Sequence, residues 1–274
     1  LLIALLVFIC AIDKHMETFM WFRPLVVAFF TGIILGDVQL GMQAGAVAEL
    51  SYLGLLTVGG TVRIGSSNYR SSTILARAIP IINKRYPHID ICLEEGTTRE
   101  LEDFAIQGKT DFSIVVKPTG HRDLDYIELF REELLLAVSP DWGLGREPLH
   151  DEGLHSRYPV FDYHSLDGHP FLVMKEGQEL RHSFFALVEA LDISPTVALE
   201  TTDMATAQTL AGIGVGAAIV PGGLALANIP AVEPKYFSLR AYLDDWDIVL
   251  AYKRGRYLSK ADKAVIRVIC DVTG

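Results

Sequence analysis

The chain has 274 residues, half of them hydrophobic, and a formal net charge of −10 at pH 7. This length is sufficient for one large or two ordinary domains. The acidic balance argues against a general contact with a phosphate backbone, which needs an excess of lysine and arginine on one face, but it leaves room for a small basic pocket. The three cysteines lie far apart and lack CxxC spacing, so the sequence indicates a reducing compartment and neither a disulfide framework nor a zinc site.

Residues 1–60 are strongly apolar and carry few charges. Three apolar pieces follow one another, at 1–12, 24–36 and 38–60. A lone membrane-spanning helix needs about 20 apolar residues, so the first two pieces are short and the third is interrupted by polar side chains. Their repeated glycines favour close helix approach at membrane depth. A buried hairpin in a soluble core is the alternative.

Glu49 is the charge in this region that needs an explanation. A carboxylate at membrane depth is costly unless it faces protein or water, so Glu49 is a candidate for contact with a substrate or a partner helix. A position at the headgroup interface explains it equally well.

From residue 62 the pattern changes to alternating strands and helices. The order β–α–β–α–β predicts an open, mainly parallel sheet covered on both faces. The predicted elements are a strand at 62–66, a helix at 72–86 with a kink at Pro80, a strand at 88–94, a helix at 99–107 and a strand at 111–116.

The remaining chain predicts a second lobe. Extended structure at 128–139 is followed by an irregular linker at 140–169. Strands at 171–174, 196–200 and 216–220 then alternate with helices at 178–191 and 204–211. A short helix at PGGLALAN, strands at 232–239 and 247–252, and a final helix at 260–271 follow. We expect a first lobe from about 62–139 and 221–274, and a second lobe from about 140–220.

Three polar turns follow predicted strands. They are Ser66-Ser67-Asn68, Gly96-Thr97-Thr98 and Thr201-Thr202-Asp203. Ligands of open α/β sheets bind outside the carboxyl ends of the strands, beside helix N-termini, so we expect the three turns to converge on a ligand. Taken singly, each turn is equally well explained as an ordinary helix N-cap.

Other kinds of site are disfavoured. In AGIGVGAAIVPGG, at 211–223, the glycines lie between a helix and a strand, so Gly212 and Gly214 are interpreted as helix-stop and turn residues and not as a dinucleotide fingerprint. The histidines lack the spacing of paired metal ligands, and no GxSxG elbow occurs. We therefore predict no metal, no cofactor and no enzymatic activity.

A first family resemblance lies in RPLVVAFFTGIILGDVQLGMQAGAVAELSYLGLL. This stretch resembles the N-terminal part of the membrane IIC permease subunit of mannose/sorbose-type sugar phosphotransferase systems. The matching features are the Arg23-Pro24 pair, the Gly36-Asp37 step and the segment from Gly45 through Glu49 to Gly54. The resemblance implies an inner-membrane location, and sugar translocation with partner IID, IIA and IIB subunits, although this chain holds only a fraction of such a permease.

A second resemblance lies in VRIGSSNYRSSTILARAIPIINKRYPHIDICLEEGTTRELEDFAIQGKTDFSIV. It is similar to the opening of the effector-binding domain of LysR-type transcriptional regulators. The similarity rests on a helix ending in Tyr86-Pro87, the turn Glu95-Gly96, and Gln107-Gly108 before a strand. The span 200–222 is similar to the exit of that family's second lobe, so the resemblance covers nearly all of 62–274.

This resemblance implies a cytoplasmic, two-lobed fold like type 2 periplasmic binding proteins, side-by-side homodimers, and a small effector in the cleft between the lobes. We expect the effector to be anionic, with Lys117 or Lys175 adding positive charge. By position, the resemblance implies effector contacts at Ser66, Ser67, Asn68, Thr97, Thr98, Lys117, Lys175, Thr202 and Asp203.

The chain departs from that family at its start. LysR-type regulators begin with a winged helix-turn-helix, whereas the apolar segment stands in its place here. Without a recognition helix, direct DNA binding by this chain is not expected. The favoured interpretation is a non-catalytic effector-sensing domain preceded by a truncated permease segment; a membrane component of a sugar uptake system and an unnatural fusion remain alternatives.

Overall fold

The computed structural model describes residues 24–45, 59–117, 121–144, 153 and 155–274. The chain divides into two compact units, Leu1–Val58 and Gly59–Gly274, which are described separately below. The predicted apolar piece at 1–12, Glu49 and part of the piece at 38–60 lie outside the described residues.

The first unit contains helix α1, Pro24–Leu35, and helical backbone at 38–45. Gly36 turns the chain between them with a φ of 80°. A side chain on Gly41 would place its Cβ 2.7 Å from the Cα of Gly32, so only glycine permits this approach. Within the described part of the chain, we find no helix that is both long and apolar enough to cross a membrane.

The second unit alternates strands and helices, as its sequence pattern predicts. Its first half contains β1 Gly59–Ser66, β2 His88–Glu95, α3 Thr98–Gln107, β3 Phe112–Lys117 and β4 Leu124–Glu132. Helix α2 lies between β1 and β2 and consists of Asn68–Arg70, a π-helical turn Ser71–Leu75 and Ala76–Arg85. Pro80 lies within this last segment.

The second half of the unit continues the alternation. It contains β5 Leu134–Val138, β6 Pro170–Met174, α4 Glu179–Leu191, β7 Thr196–Thr201, α5 Met204–Gly212, β8 Ala217–Pro221, α6 Gly222–Ala227, β9 Lys235–Ser238, β10 Trp246–Lys253 and α7 Lys260–Thr273. Gly212 ends α5, and Gly214 follows with a φ of 88°, so both glycines have the predicted helix-stop and turn roles.

Two five-stranded sheets share one plan. The first has the order β2-β1-β3-β10-β4, with β1 parallel to both neighbours and β10 antiparallel to both of its own. The second has the order β7-β6-β8-β5-β9, with β6 parallel to its neighbours and β5 antiparallel to its own. Each sheet therefore supports one lobe, and the open, largely parallel part of each lobe matches the prediction.

The boundaries between the lobes differ from those expected. Strands β5 and β9 belong to the second sheet, so that lobe extends from about residue 134 to residue 238 instead of 140–220. The run LLLAV in β5 is fully buried and would suit either sheet, and its pairing with β8 and β9 decides the matter. Such pairing is a long-range property that a local pattern does not encode.

Part of the predicted linker at 140–169 contributes to the core instead. Phe161, Tyr163 and Leu166 are buried, and the ring of Phe161 packs 4.5 Å from the ring of Phe237 on β9. These apolar side chains lie in irregular backbone and a short 3-10 turn, where no helical or strand periodicity marks them as buried.

Candidate functional site

The three polar turns do cap helices. The Ser67 hydroxyl accepts a hydrogen bond from the Arg70 N–H at 3.3 Å, and the Thr97 hydroxyl accepts one from the Glu100 N–H at 3.4 Å. The Asp203 carboxylate accepts from the N–H groups of Ala205 and Thr206, both at 3.2 Å. Helices α2, α3 and α5 thus begin at these turns, as N-cap chemistry predicts.

The turns also meet at one hollow between the two lobes, which we call the turn hollow. Its volume is about 350 Å³. Five of the nine predicted contact residues line it: Ser67, Asn68, Thr97, Thr202 and Asp203. The separate turns converge because each follows the end of a strand. Residues 67–68 and 96–97 of the first lobe thereby lie opposite residues 202–203 of the second lobe.

Two side chains of this hollow have no hydrogen-bond partner among the described residues. Asn68 and Thr202 are exposed, and their side chains form no hydrogen bond with any described residue. Their amide and hydroxyl groups are therefore free to bind a ligand from opposite lobes.

The other four predicted residues lie elsewhere. Ser66 is buried, and its hydroxyl donates to the Ser67 carbonyl at 3.3 Å. Thr98 lines a narrow cavity beside the turn hollow. Lys117 lies 3.7 Å from the Glu128 carboxylate, and Lys175 is exposed with its backbone N–H bonded to the Thr201 carbonyl, so neither lysine lines the turn hollow.

Carboxylates dominate the charge of the turn hollow. Glu95, Glu100 and Asp203 line it, and no lysine or arginine is among its lining residues in the described chain. The backbone N–H and the hydroxyl of Thr97 both donate to Glu100 at 2.9 Å, and these bonds lower the pKa of Glu100. Helices α3 and α5 therefore already hold an anion of the chain at their N-termini.

A second, larger hollow lies between the lobes, beside α3 and α4; we call it the carboxylate hollow. It measures about 750 Å³, and Glu102 and Glu179 line it from opposite lobes. Burial, followed by the charges of Glu179 and Asp103, raises the pKa of Glu102 to about 7. Burial also raises the pKa of Glu179. These two residues were not predicted from the sequence.

A buried polar cluster joins the lobes where the chain crosses between them. Glu132, the last residue of β4, accepts hydrogen bonds from the Tyr69 hydroxyl and the Arg70 guanidinium, both at 2.5 Å. It also accepts one from the Gly223 N–H of α6 at 3.2 Å. Glu132 therefore ties the start of α2 in the first lobe to the second lobe.

The same cluster raises the pKa of Tyr69, chiefly through burial and then through the Glu132 charge. Separately, among the described residues no group of three or more histidine, cysteine, aspartate or glutamate side chains could hold a metal ion. The turn hollow thus offers hydroxyl, amide and carboxylate groups, whereas the carboxylate hollow also has arginine and histidine side chains in its lining.

Comparisons with known proteins match the two parts of the chain to two different families, and the two matches overlap at residues 57–94. The family model described as "LysR substrate binding domain" matches residues 57–273. The model described as "PTS system sorbose-specific iic component" matches residues 1–94. The two matches together suggest a fusion.

Relatives of both kinds are found. The uncharacterized HTH-type transcriptional regulator YcgK of Bacillus subtilis (strain 168) is 27% identical over 194 residues, which cover 67% of this chain and 58% of that protein. The N-acetylgalactosamine permease IIC component 1 of Escherichia coli (strain K12) is 45% identical over 58 residues, which cover 21% of this chain and 22% of that protein. The chain therefore spans less than two thirds of the length of either relative.

A solved structure shares the fold of the second unit. It is described as the effector binding domain of QuiR in complex with shikimate, with a TM-score of 0.63 and 18% sequence identity. The match covers 78% of this chain and 97% of that one.

Proposed function

Because the chain belongs to the LysR substrate binding domain family, we propose that residues 59–274 sense a small polar metabolite bound between the two lobes. The observation that carries this proposal is the convergence of five expected contact residues, from both lobes, on the turn hollow. A ligand that contacts both lobes binds best when they are closed, so it shifts the population toward closure. The domain acts by binding alone, and closure alters how copies of it pack.

The expected negative charge of the effector has no support from the residues that line the turn hollow. An anionic effector was expected because Lys117 or Lys175 would add positive charge, but neither side chain lines the turn hollow. The proposal is therefore limited to a small polar ligand held by hydroxyl, amide and backbone groups. The shikimate complex of a protein with this fold supports a ligand of that size.

A thermal-shift screen tests the sensing role. We expect at least one neutral, acidic or basic metabolite at millimolar concentration to raise the melting temperature of the full chain, since a ligand that binds only the folded state stabilises it by about 2.7 kcal/mol at a hundred times its Kd. Asn68→Ala and Thr202→Val should each remove most of that shift. Thr61→Val, an exposed change on β1 outside the turn hollow, should leave it intact.

If no compound stabilises the wild-type chain, the sensing proposal fails. If a compound stabilises the wild type and both hollow variants equally, the ligand binds elsewhere and the proposed site is wrong.

We also propose that this domain forms homodimers. Strands β2 and β7 are outer strands of their sheets, and Leu93 on β2 and Val197 and Leu199 on β7 are exposed. Outer strands with exposed apolar side chains are available for contact with another chain. Analytical ultracentrifugation should give a dimer for the full chain and a monomer for Val197→Asp, with Ile213→Asp as the exposed control; a monomeric wild type would contradict the proposal.

A sugar permease role is a second candidate, favoured by the 45% identity to a IIC component over 58 residues. It places the N-terminal unit at the inner membrane. Restored sugar uptake in a permease-deficient strain that expresses this chain would support it, and unchanged uptake would count against it.

Mass spectrometry that finds peptides from both units in one intact polypeptide would establish that the fusion is natural.

A further inference from the structure

The carboxylate hollow presents two acidic side chains that face each other across the lobes. Glu102 lies on α3 of the first lobe, and Glu179 is the first residue of α4 in the second. Both line the same hollow, and the charge of Glu179 acts on Glu102 strongly enough to raise its pKa. Two like charges from opposite lobes oppose closure unless something between them compensates.

Neither carboxylate accepts a hydrogen bond from the residues that the structure describes. Glu102 is only 5% exposed, and its nearest basic neighbour among the described residues is His121, whose Nε2 lies 3.5 Å from a carboxylate oxygen of Glu102. Glu179 has no ion pair in the part of the chain that the structure describes, although the charge of His182 acts on it and lowers its pKa in part. No oxygen of Glu102 or Glu179 is among the fully buried polar atoms without a partner in the described chain, so both carboxylates can accept hydrogen bonds from a molecule in the hollow.

The other charged groups around the hollow offset this pair only in part, through His121 beside Glu102 and His182 beside Glu179. Arg181 is already engaged by Glu200 at 2.7 Å and by the Met174 carbonyl at 2.9 Å. The remaining lining groups that titrate or carry charge are Arg99, His121, Glu176 and His182, and Asp103 lies near Glu102 on α3. Arg99, Glu176 and His182 are exposed, whereas Glu102 is buried, so the buried side of the hollow carries a carboxylate.

We propose that Glu102 and Glu179 together bind the amine or guanidinium group of the effector and thereby draw the lobes together. This inference rests on the proposed sensing function and names the ligand class of that site. An ammonium group carries three donors and can bond both carboxylates at once, replacing repulsion across the cleft with two charge-assisted hydrogen bonds. The hydroxyl and amide groups of the turn hollow would hold the rest of the molecule, and no basic side chain there would repel a cation.

The two hollows adjoin one another, with a cavity of about 30 Å³ between them. A narrow cavity between them shares Ser67 and Thr97 with the turn hollow, and Thr98 and Glu179 with the carboxylate hollow. A ligand with an amine at one end and hydroxyl groups at the other matches this order of polar groups.

The test uses pairs of compounds with one skeleton and opposite charge. We would measure binding of 1,4-diaminobutane against succinate, and of N-methylglucamine against gluconate, to the full chain by isothermal titration calorimetry at about pH 8. The two amines are expected to bind and the two carboxylates are not. Glu102→Gln and Glu179→Gln should each weaken amine binding about tenfold or more, as expected when one charge-assisted bond is lost. Glu189→Gln, an exposed change on the same helix as Glu179, should stay within about twofold.

The dependence on pH gives a second measurement. Because Glu102 must lose its proton to hold a cation and its pKa is about 7, amine binding to the wild type should weaken about tenfold between about pH 8 and pH 6. Binding to Glu102→Gln should change much less over the same range.

Three results would overturn the inference. The first is binding of succinate or gluconate without binding of either amine, which would leave the sensing function intact. The second is amine binding that both glutamine variants retain in full. The third is absence of amine binding at millimolar concentration while another class of compound succeeds in the thermal-shift screen; failure of every compound in that screen would instead overturn the sensing function itself.

Discussion

Replacing Glu132 with alanine is expected to lower the free energy of unfolding of the full chain by about 3–5 kcal/mol. The side chains of Arg70 and Glu132 are 4% and 5% exposed, so the variant leaves a buried guanidinium without its counter-charge. The Tyr69 hydroxyl and the Gly223 N–H lose the same acceptor. Urea unfolding followed by circular dichroism measures the loss.

Two control variants separate charge from packing. Glu128 lies on the same strand, is 82% exposed and has only a loose ion pair with Lys117, so Glu128→Ala should cost less than about 1 kcal/mol. The double variant Arg70→Met with Glu132→Leu should recover most of the loss, because it removes both charges and keeps apolar volume. A loss below about 1 kcal/mol for Glu132→Ala would show that the cluster does not hold the crossing point together.

Replacing Glu102 with glutamine is expected to stabilise the ligand-free chain by on the order of 2 kcal/mol at about pH 8. The native fold raises the pKa of Glu102 from 4.5 to about 7, chiefly through burial and then through Glu179 and Asp103. A raised pKa means that the folded chain binds this proton more tightly than the unfolded chain. Its contribution to stability is therefore complete below about pH 4.5 and is lost as the pH rises through 7.

Stability measured against pH distinguishes this effect from a general gain. The wild type should lose stability between about pH 4.5 and pH 7 relative to Glu102→Gln, and Glu189→Gln should follow the wild type. Because Glu102 and Glu179 repel each other, the double variant Glu102→Gln with Glu179→Gln should gain less than the sum of the two single variants. A Glu102→Gln chain no more stable than the wild type at about pH 8 would contradict the account of this pair.

The two predictions concern two buried carboxylates of one domain that differ in their hydrogen-bond partners. Glu132 has three donors and should stabilise the crossing between the lobes. Glu102 has none among the described residues and should destabilise the fold until a ligand supplies them. This second arrangement is useful in a binding protein. The ligand-free state is destabilised by the unpaired carboxylate, so ligand binding relieves that cost and shifts the population more strongly toward the closed state.

The sequence was sufficient to predict the two α/β lobes and the convergence of the turns, because both follow from local rules. Strands of 4–8 residues alternating with helices define the fold, and polar turns after parallel strands meet at one sheet edge whatever the loops contain. Ser67, Thr97 and Asp203 were identified in this way, and each is also the N-cap that its residue type predicts.

What the sequence could not predict depends on contacts between distant parts of the chain. The assignment of β5 to the second sheet rests on its pairing with β8, and the pairing of Glu102 with Glu179 rests on how the lobes face each other. Lys117 ends β3 and Lys175 follows β6, close to the level of the turn residues, but neither side chain lines the turn hollow. A usable signal for Glu179 did exist, since it begins a helix after a predicted strand, as Asn68 does in the first lobe.

Amide hydrogen exchange tests most directly whether one ligand engages both lobes. The full chain would be measured with and without the compound that gives the largest shift in the thermal screen. Our account predicts that exchange slows together at residues 67–69 and 97–99 of the first lobe and at residues 202–205 of the second, where helices begin around the turn hollow. Slower exchange confined to one lobe, or found only away from these turns, would contradict it.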